Sequence, residues 1–169
     1  MQLHIVALYI LSQLPNDAFI LILSRFNNNA VLLDRLEAKG LSLPTADEWA
    51  YLCGGGCRTL FPWGDGIDYS MHLHHFEDLE VEYKPFDMEE PNFFGLSIAY
   101  DPYCREVVKA ERLTTCGGDG GCNICGGLGI FLGFLPCSPH CKPQVHENKE
   151  LNGDYDFYRP IIRLDVHEI

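Results

Sequence analysis

The sequence predicts an α+β domain with a few short helices, a small sheet and long connecting loops. Three observations carry that expectation. Well-capped helix signals are short and lie between about residues 29 and 53. Brief runs of β-branched and aromatic residues follow at 97–100, 106–110 and 157–164. Sixteen glycines and ten prolines are spread over 169 residues, a density that favours turns over long regular elements.

Composition bounds the rest. Hydrophobic residues make up 47% and charged residues 21% of the chain, enough to bury one substantial core in a globular domain. The formal net charge is −12 and the pI about 4.8, so a polyanion is repelled. Nucleic acid and anionic membrane are therefore not expected partners.

The first apolar residues, Leu3, Val6, Ala7, Ile10, Leu11 and Leu14, recur at helical spacing up to Pro15. No basic residue precedes them and no small-residue cleavage site follows, so they do not read as a signal peptide. Pro15 also stops them short of a membrane span. Residues 18–26 fit a helix or a buried strand equally well. Residues 1–29 are read as a helical extension within the same compact unit as a domain over 30–169.

Asn29 is expected to cap a helix with Leu32, Leu33 and Leu36 on its buried face, closed by Gly40 in a left-handed conformation. Thr45 and Glu48 have the spacing of a capping box. Ala46, Trp49, Ala50 and Cys53 then line one face of a short helix, which ends at the glycines 54–56. Phe61-Pro62-Trp63-Gly64-Asp65 reads as an aromatic turn packing back on that helix. Residues 68–90 are acidic and loop-like, and carry His72, His74 and His75 beside Glu77 and Asp78. Strands are expected at 97–100, at 106–110 running on to Leu113, and at 157–164. Arg112, Arg159 and Arg163 are expected to satisfy carboxylates or carbonyls around the sheet.

Four short stretches, taken in order, resemble the formylglycine-generating enzyme family, also called the sulfatase-modifying-factor domain. They are Leu43-Pro44-Thr45 with Glu48-Trp49 and Pro62-Trp63-Gly64, then Pro91-Asn92-Phe93-Phe94-Gly95-Leu96, then Gly117-Gly118-Asp119, and last Tyr158-Arg159-Pro160-Ile161-Ile162-Arg163. The resemblance implies a C-type-lectin-like fold of the sulfatase-modifying-factor type, with a small twisted antiparallel sheet, two helices and long loops. It also implies an oxidase that converts a peptide cysteine to formylglycine with oxygen and copper(I) held by two thiolates. Copper(I) suits such a pair, being soft and content with few ligands.

The match to that chemistry is incomplete. Cys122 stands at the position of the family's first thiolate, but the second position is Gly127, so Cys125 is the nearest candidate. The calcium-binding segment of the family is replaced around Glu106, which argues against structural calcium. The resemblance therefore implies a scaffold more firmly than an activity.

The eight cysteines leave other readings open. Cys122 and Cys125 with Cys137 and Cys141 form two close pairs separated by 11 residues, a pattern that suits tetrahedral zinc. His140 is a substitute ligand there and Cys116 a spare. Disulfides fit an oxidising compartment equally well, whereas reduced thiols fit the cytoplasm, the compartment favoured. Cys53 is expected to pack beside Trp49, and Cys104 to lie in the core. The sequence thus points to a binding domain for a small ligand or a protein, presenting the glycine- and cysteine-rich residues 116–141. A copper-dependent oxidase using Cys122 and Cys125 is the alternative.

Overall fold

The structure, a computed structural model, describes residues 28–67, 92–96, 102–147, 150–152 and 155–163. The apolar segments before residue 28, the histidines of 72–75 and the strand expected at 97–100 lie outside the described residues.

Helix α1 (Asn29–Glu37) is capped by Asn28 and not by Asn29: the Ala30 amide donates to Asn28 Oδ1 at 2.8 Å. Any of three consecutive asparagines could cap. Asn29 is instead buried as the first helical residue, and Leu32 and Leu36 face the core. Gly40 takes the left-handed conformation (φ +69°) while Leu41 N–H donates to Leu36 O at 2.9 Å, closing the helix as expected.

Helix α2 (Ala46–Gly54) begins with a complete capping box. The Thr45 amide donates to Glu48 Oε2 at 2.8 Å and the Glu48 amide to Thr45 Oγ1 at 3.3 Å. At its far end Gly55 is left-handed, with φ +57°. Asn92 completes that end: its Nδ2 donates to the carbonyls of Leu52 (2.6 Å) and Cys53 (3.1 Å). Asn92 Oδ1 in turn accepts from the amides of Phe94 and Leu96, so one side chain fastens a turn to a helix terminus.

Four short strands, β1 (Arg105–Val108), β2 (Thr114–Gly117), β3 (Gln144–Val145) and β4 (Asp156–Tyr158), form a sheet in the order β3-β2-β1-β4. β1 and β2 are antiparallel, as are β2 and β3, but β4 runs parallel to β1. The sheet is therefore mixed and not purely antiparallel. The chain leaves β3 at one edge and returns at the other, and such a crossing lets β4 share the direction of β1.

Two strands are shorter than expected. β1 stops at Val108 because the Lys109 amide turns aside to Pro44 O at 2.8 Å. β4 stops before Pro160, which has no amide hydrogen for the ladder, and only a single bridge between Ser42 and Ile161 follows.

Side-chain alternation along β1 sets the layers. Val107 packs with Leu32, Leu36, Leu43, Leu113 and Tyr158, on the side of α1. Val108 packs with Trp49, Leu52, Cys53, Leu96 and Cys116, on the side of α2. The sheet is thus covered on both faces, and the architecture is α+β. No helix among the described residues is long and apolar enough to cross a membrane.

Candidate functional site

The groups closest to the sheet are occupied with each other. Glu106 lies on the α2 side and is buried, and its Oε2 accepts from Trp49 Nε1 at 3.2 Å. Arg159 reaches the same carboxylate, with Nη2 to Oε1 at 2.9 Å and Nε to Oε2 at 3.3 Å. Glu106 is thus engaged by protein donors on both oxygens, which makes it a structural counter-ion for Arg159. Arg163 pairs with Glu48 at 2.7 Å. Among the described residues Arg112 does not join these pairs: it is exposed, and its backbone carbonyl accepts from Thr114 Oγ1. Arg105, not anticipated, pairs with the fully buried Asp156.

Past β2 the chain is drawn tightly onto residues 102–104. The Gly118 amide donates to Cys104 O (2.7 Å), and those of Asp119 and Gly121 to Pro102 O (2.8 and 3.2 Å). A Cβ at Gly118 would collide with the carbonyl oxygens of Pro102 and Cys104, and one at Gly121 with the ring of Tyr103. Glycine is required at both places by this close approach. Asp119 is buried, and its Oδ2 accepts from the Asn123 amide at 3.0 Å. Its Oδ1 is also buried and has no hydrogen-bond partner among the described residues.

That loop delivers a one-turn helix, α3 (Cys122–Cys125), and then α4 (Ile130–Phe134) with a 3₁₀ turn over Leu135–Cys137. Asn123 and Ile124, between the two cysteines, are anchors. Asn123 Nδ2 donates to Leu132 O at 3.2 Å. Ile124 fills the notch left by Gly133, where a Cβ would collide with it, and joins the apolar cluster of Phe61, Phe134 and Trp63. Cys122 and Cys125 are both exposed, and Tyr103 Oη lies 3.5 Å from Cys125 Sγ.

The aromatic turn takes a different partner from the one expected. Phe61 and Trp63 stack at 4.8 Å, and Trp63 meets Phe134 edge-on at 6.2 Å. The turn therefore supports α4 and does not pack back on α2. The reason is chain direction: Ser138 Oγ donates to Leu60 O, which brings the end of α4 under residues 59–61. On the outer side Leu128, Phe131 and Leu132 stay 56%, 55% and 43% exposed.

All eight cysteines lie among the described residues, and no disulfide joins any two of them. Cys53 and Cys104 lie in the core as expected. Burial, then the nearby Glu106 carboxylate, pushes the Cys53 thiol far up, and the same two causes raise Cys116 from 9.0 to about 12. Burial also raises Cys141. Such thiols are poor nucleophiles at neutral pH. Cys137 is fully buried at the end of the 3₁₀ turn.

The four sulfurs of Cys122, Cys125, Cys137 and Cys141 are not gathered at one point. Among the described residues no three His, Cys, Asp or Glu side chains stand close enough to hold a metal ion together. For copper(I) the Cys122–Cys125 turn supplies two thiols open to solvent and, among the described residues, no third His, Cys, Asp or Glu ligand. Calcium would have to displace Trp49 and Arg159 from Glu106.

Several of these residues escape sequence reasoning. Tyr103, Asn123, Ile124 and Gly133 matter because of partners that local pattern does not reveal. The only available signal was an apolar residue between two cysteines, Cys-Asn-Ile-Cys, which reads as an anchored turn. The chain matches no protein-family model and no curated protein.

Proposed function

We propose that this chain is a non-catalytic binding domain on a lectin-like scaffold of the sulfatase-modifying-factor type, presenting residues 116–141 to a small apolar ligand or an apolar protein segment. One observation carries the reading. Leu128, Phe131 and Leu132 point outward from a segment whose other side is fixed by Asn123, Ile124 and Phe134. Large apolar groups grouped on a rigidly backed surface mark binding sites more than folding needs. The helices and sheet carry the core, so the exposed side chains of this segment can vary without loss of the scaffold. The capping box, the Asn92 cap, and Trp49 and Arg159 with their shared carboxylate partner support the same scaffold, because those residues, Glu106 excepted, lie in the stretches that resemble the family.

The test is a titration with Nile red, a neutral dye chosen because the −12 charge would repel an anionic one. The native protein should give saturable emission. The variant Leu128→Ser/Phe131→Ser/Leu132→Ser should bind about tenfold more weakly, equivalent to roughly 1.4 kcal/mol of lost apolar contact. Its melting temperature should be unchanged. Equal dye binding by both proteins would remove the proposed surface.

The rival, a copper-dependent oxidase of the formylglycine-generating type, is favoured by one observation. Cys122 and Cys125 are exposed thiols on a single helical turn. Bound copper(I) would supply oxygen activation, and these two residues would hold it.

A further inference from the structure

We propose that Cys122 and Cys125 form a dithiol–disulfide couple that exchanges with a small-molecule disulfide of the glutathione class. The inference is independent of what the neighbouring apolar surface binds.

Four observations converge on it. The two cysteines sit at i and i+3 of one helical turn, with Cys125 N–H to Gly121 O and Gly126 N–H to Cys122 O both at 2.8 Å. Helix geometry places such Cα atoms roughly 5 Å apart, inside the window of about 4.4–6.8 Å that a disulfide spans. A bond between the sulfurs therefore needs no backbone rearrangement beyond the turn itself.

The intervening residues hold the turn in place. Asn123 is tied to Asp119 Oδ2 and Leu132 O, and Ile124 is locked against Gly133 in the apolar cluster. With both middle residues facing inward, both thiols are presented to solvent. Tyr103 Oη touches Cys125 Sγ at 3.5 Å and sets its orientation, while the Tyr103 ring is held over Gly121.

The remaining thiols are poor competitors. Cys53, Cys104, Cys116 and Cys137 are buried, and Cys57 and Cys141 are half-buried. Cys116, raised to about 12, holds on the order of a thousandfold less thiolate at neutral pH than a thiol at its ordinary 9.0.

The exchange balances in two steps. One cysteine thiolate attacks a sulfur of the disulfide R–S–S–R, forming a mixed disulfide and expelling R–S⁻, which takes up the proton that the cysteine released. The second cysteine, as thiolate, attacks the protein sulfur of the mixed disulfide. That forms the Cys122–Cys125 bond and releases the second R–SH. Two protein thiols are oxidised and one small disulfide is reduced to two thiols.

The experiment uses the full chain, fully reduced, in glutathione buffers of graded ratio with a copper chelator present throughout. Samples are acid-quenched, alkylated and mapped by peptide mass. The expected result is loss of two thiols in one step, with the peptide holding Cys122 and Cys125 lighter by two hydrogens. The couple should form at least about tenfold faster than any adduct at Cys53 or Cys116. Cys122→Ser and Cys125→Ser, both at exposed positions, should each trap a glutathione adduct on the remaining thiol. The proposal is overturned if the two thiols in the native chain end as separate glutathione adducts, or if either pairs with a different cysteine. Oxidation no faster than that of Cys53 also overturns it. Circular dichroism confirms that the serine variants keep their fold, so a missing adduct in a folded variant counts against the couple.

Discussion

Removing the charge of Glu106 is the sharpest test of the scaffold. Glu106→Gln keeps the side-chain shape but leaves Arg159 facing an amide, with one of its two carboxylate oxygens replaced by a donor. Breaking a buried ion pair on one side costs about 3–5 kcal/mol. The Arg159 side chain is 21% exposed, so water can reach the abandoned cation, and the expected cost is at the low end, about 3 kcal/mol. The Glu106 side chain is only 9% exposed, so Arg159→Gln strands the more deeply buried charge and should cost more, about 4 kcal/mol. The double variant should be less destabilised than the sum of the two by about 1–3 kcal/mol, since neither charge is then orphaned. Urea denaturation followed by tryptophan fluorescence measures all three, Trp49 being a direct partner of the carboxylate. A cost below about 1 kcal/mol for Glu106→Gln, or strict additivity in the cycle, would refute the pairing. So would stabilisation of the native protein by excess calcium that vanishes in Glu106→Gln, because it would make the carboxylate a metal ligand.

Two further outcomes follow from the geometry. Hydrogen bonding from Arg163, aided by the Thr45 amide and opposed by burial, holds the Glu48 carboxyl down at about 2 from its ordinary 4.5. The folded state therefore binds this proton less readily than the unfolded chain. Its contribution is complete above about pH 4.5 and is lost as pH falls towards 2. The displacement is nominally about 3 kcal/mol, but Arg163 is 38% exposed and screening leaves about 1 kcal/mol. Acid titration of stability should show that loss in the native protein and not in Glu48→Gln. Gly118→Ala should cost about 3 kcal/mol or more, because the new methyl meets two backbone carbonyls that cannot swing aside. A melting curve within a degree or two of the native one would contradict the close approach of residues 118 and 102–104.

What the sequence revealed was local. Helices α1 and α2 and their punctuation, the capping box at Thr45 and Glu48 and the left-handed Gly40, depend on residues within a turn of each other. The cap was misplaced by one only because Asn28 and Asn29 are chemically identical. What stayed hidden was long-range. The end of β1 depends on Pro44, some sixty positions earlier, and the direction of β4 on the route from β3. Phe61 and Trp63 looked ready to pack on the preceding helix, yet Phe134, from a distant part of the chain, claims them. The site shows the same division. The Cys-x-x-Cys spacing was legible, while the pinning of its middle residues by Leu132 and Gly133 required the fold. The four-sulfur set shows the limit of spacing: spacing along the chain does not reveal that Cys137 lies in the core.

The proposal is that residues 116–141 present a binding surface and that the Cys122–Cys125 turn does not oxidise a peptide. It is tested most directly by loading the purified chain with copper(I) and exposing it to oxygen with a sulfatase-type peptide that contains one cysteine. Mass spectrometry then follows the peptide. No conversion of the peptide cysteine to an aldehyde is expected. Formation of formylglycine over many turnovers, abolished by Cys122→Ser and by Cys125→Ser, would contradict it and establish the oxidase.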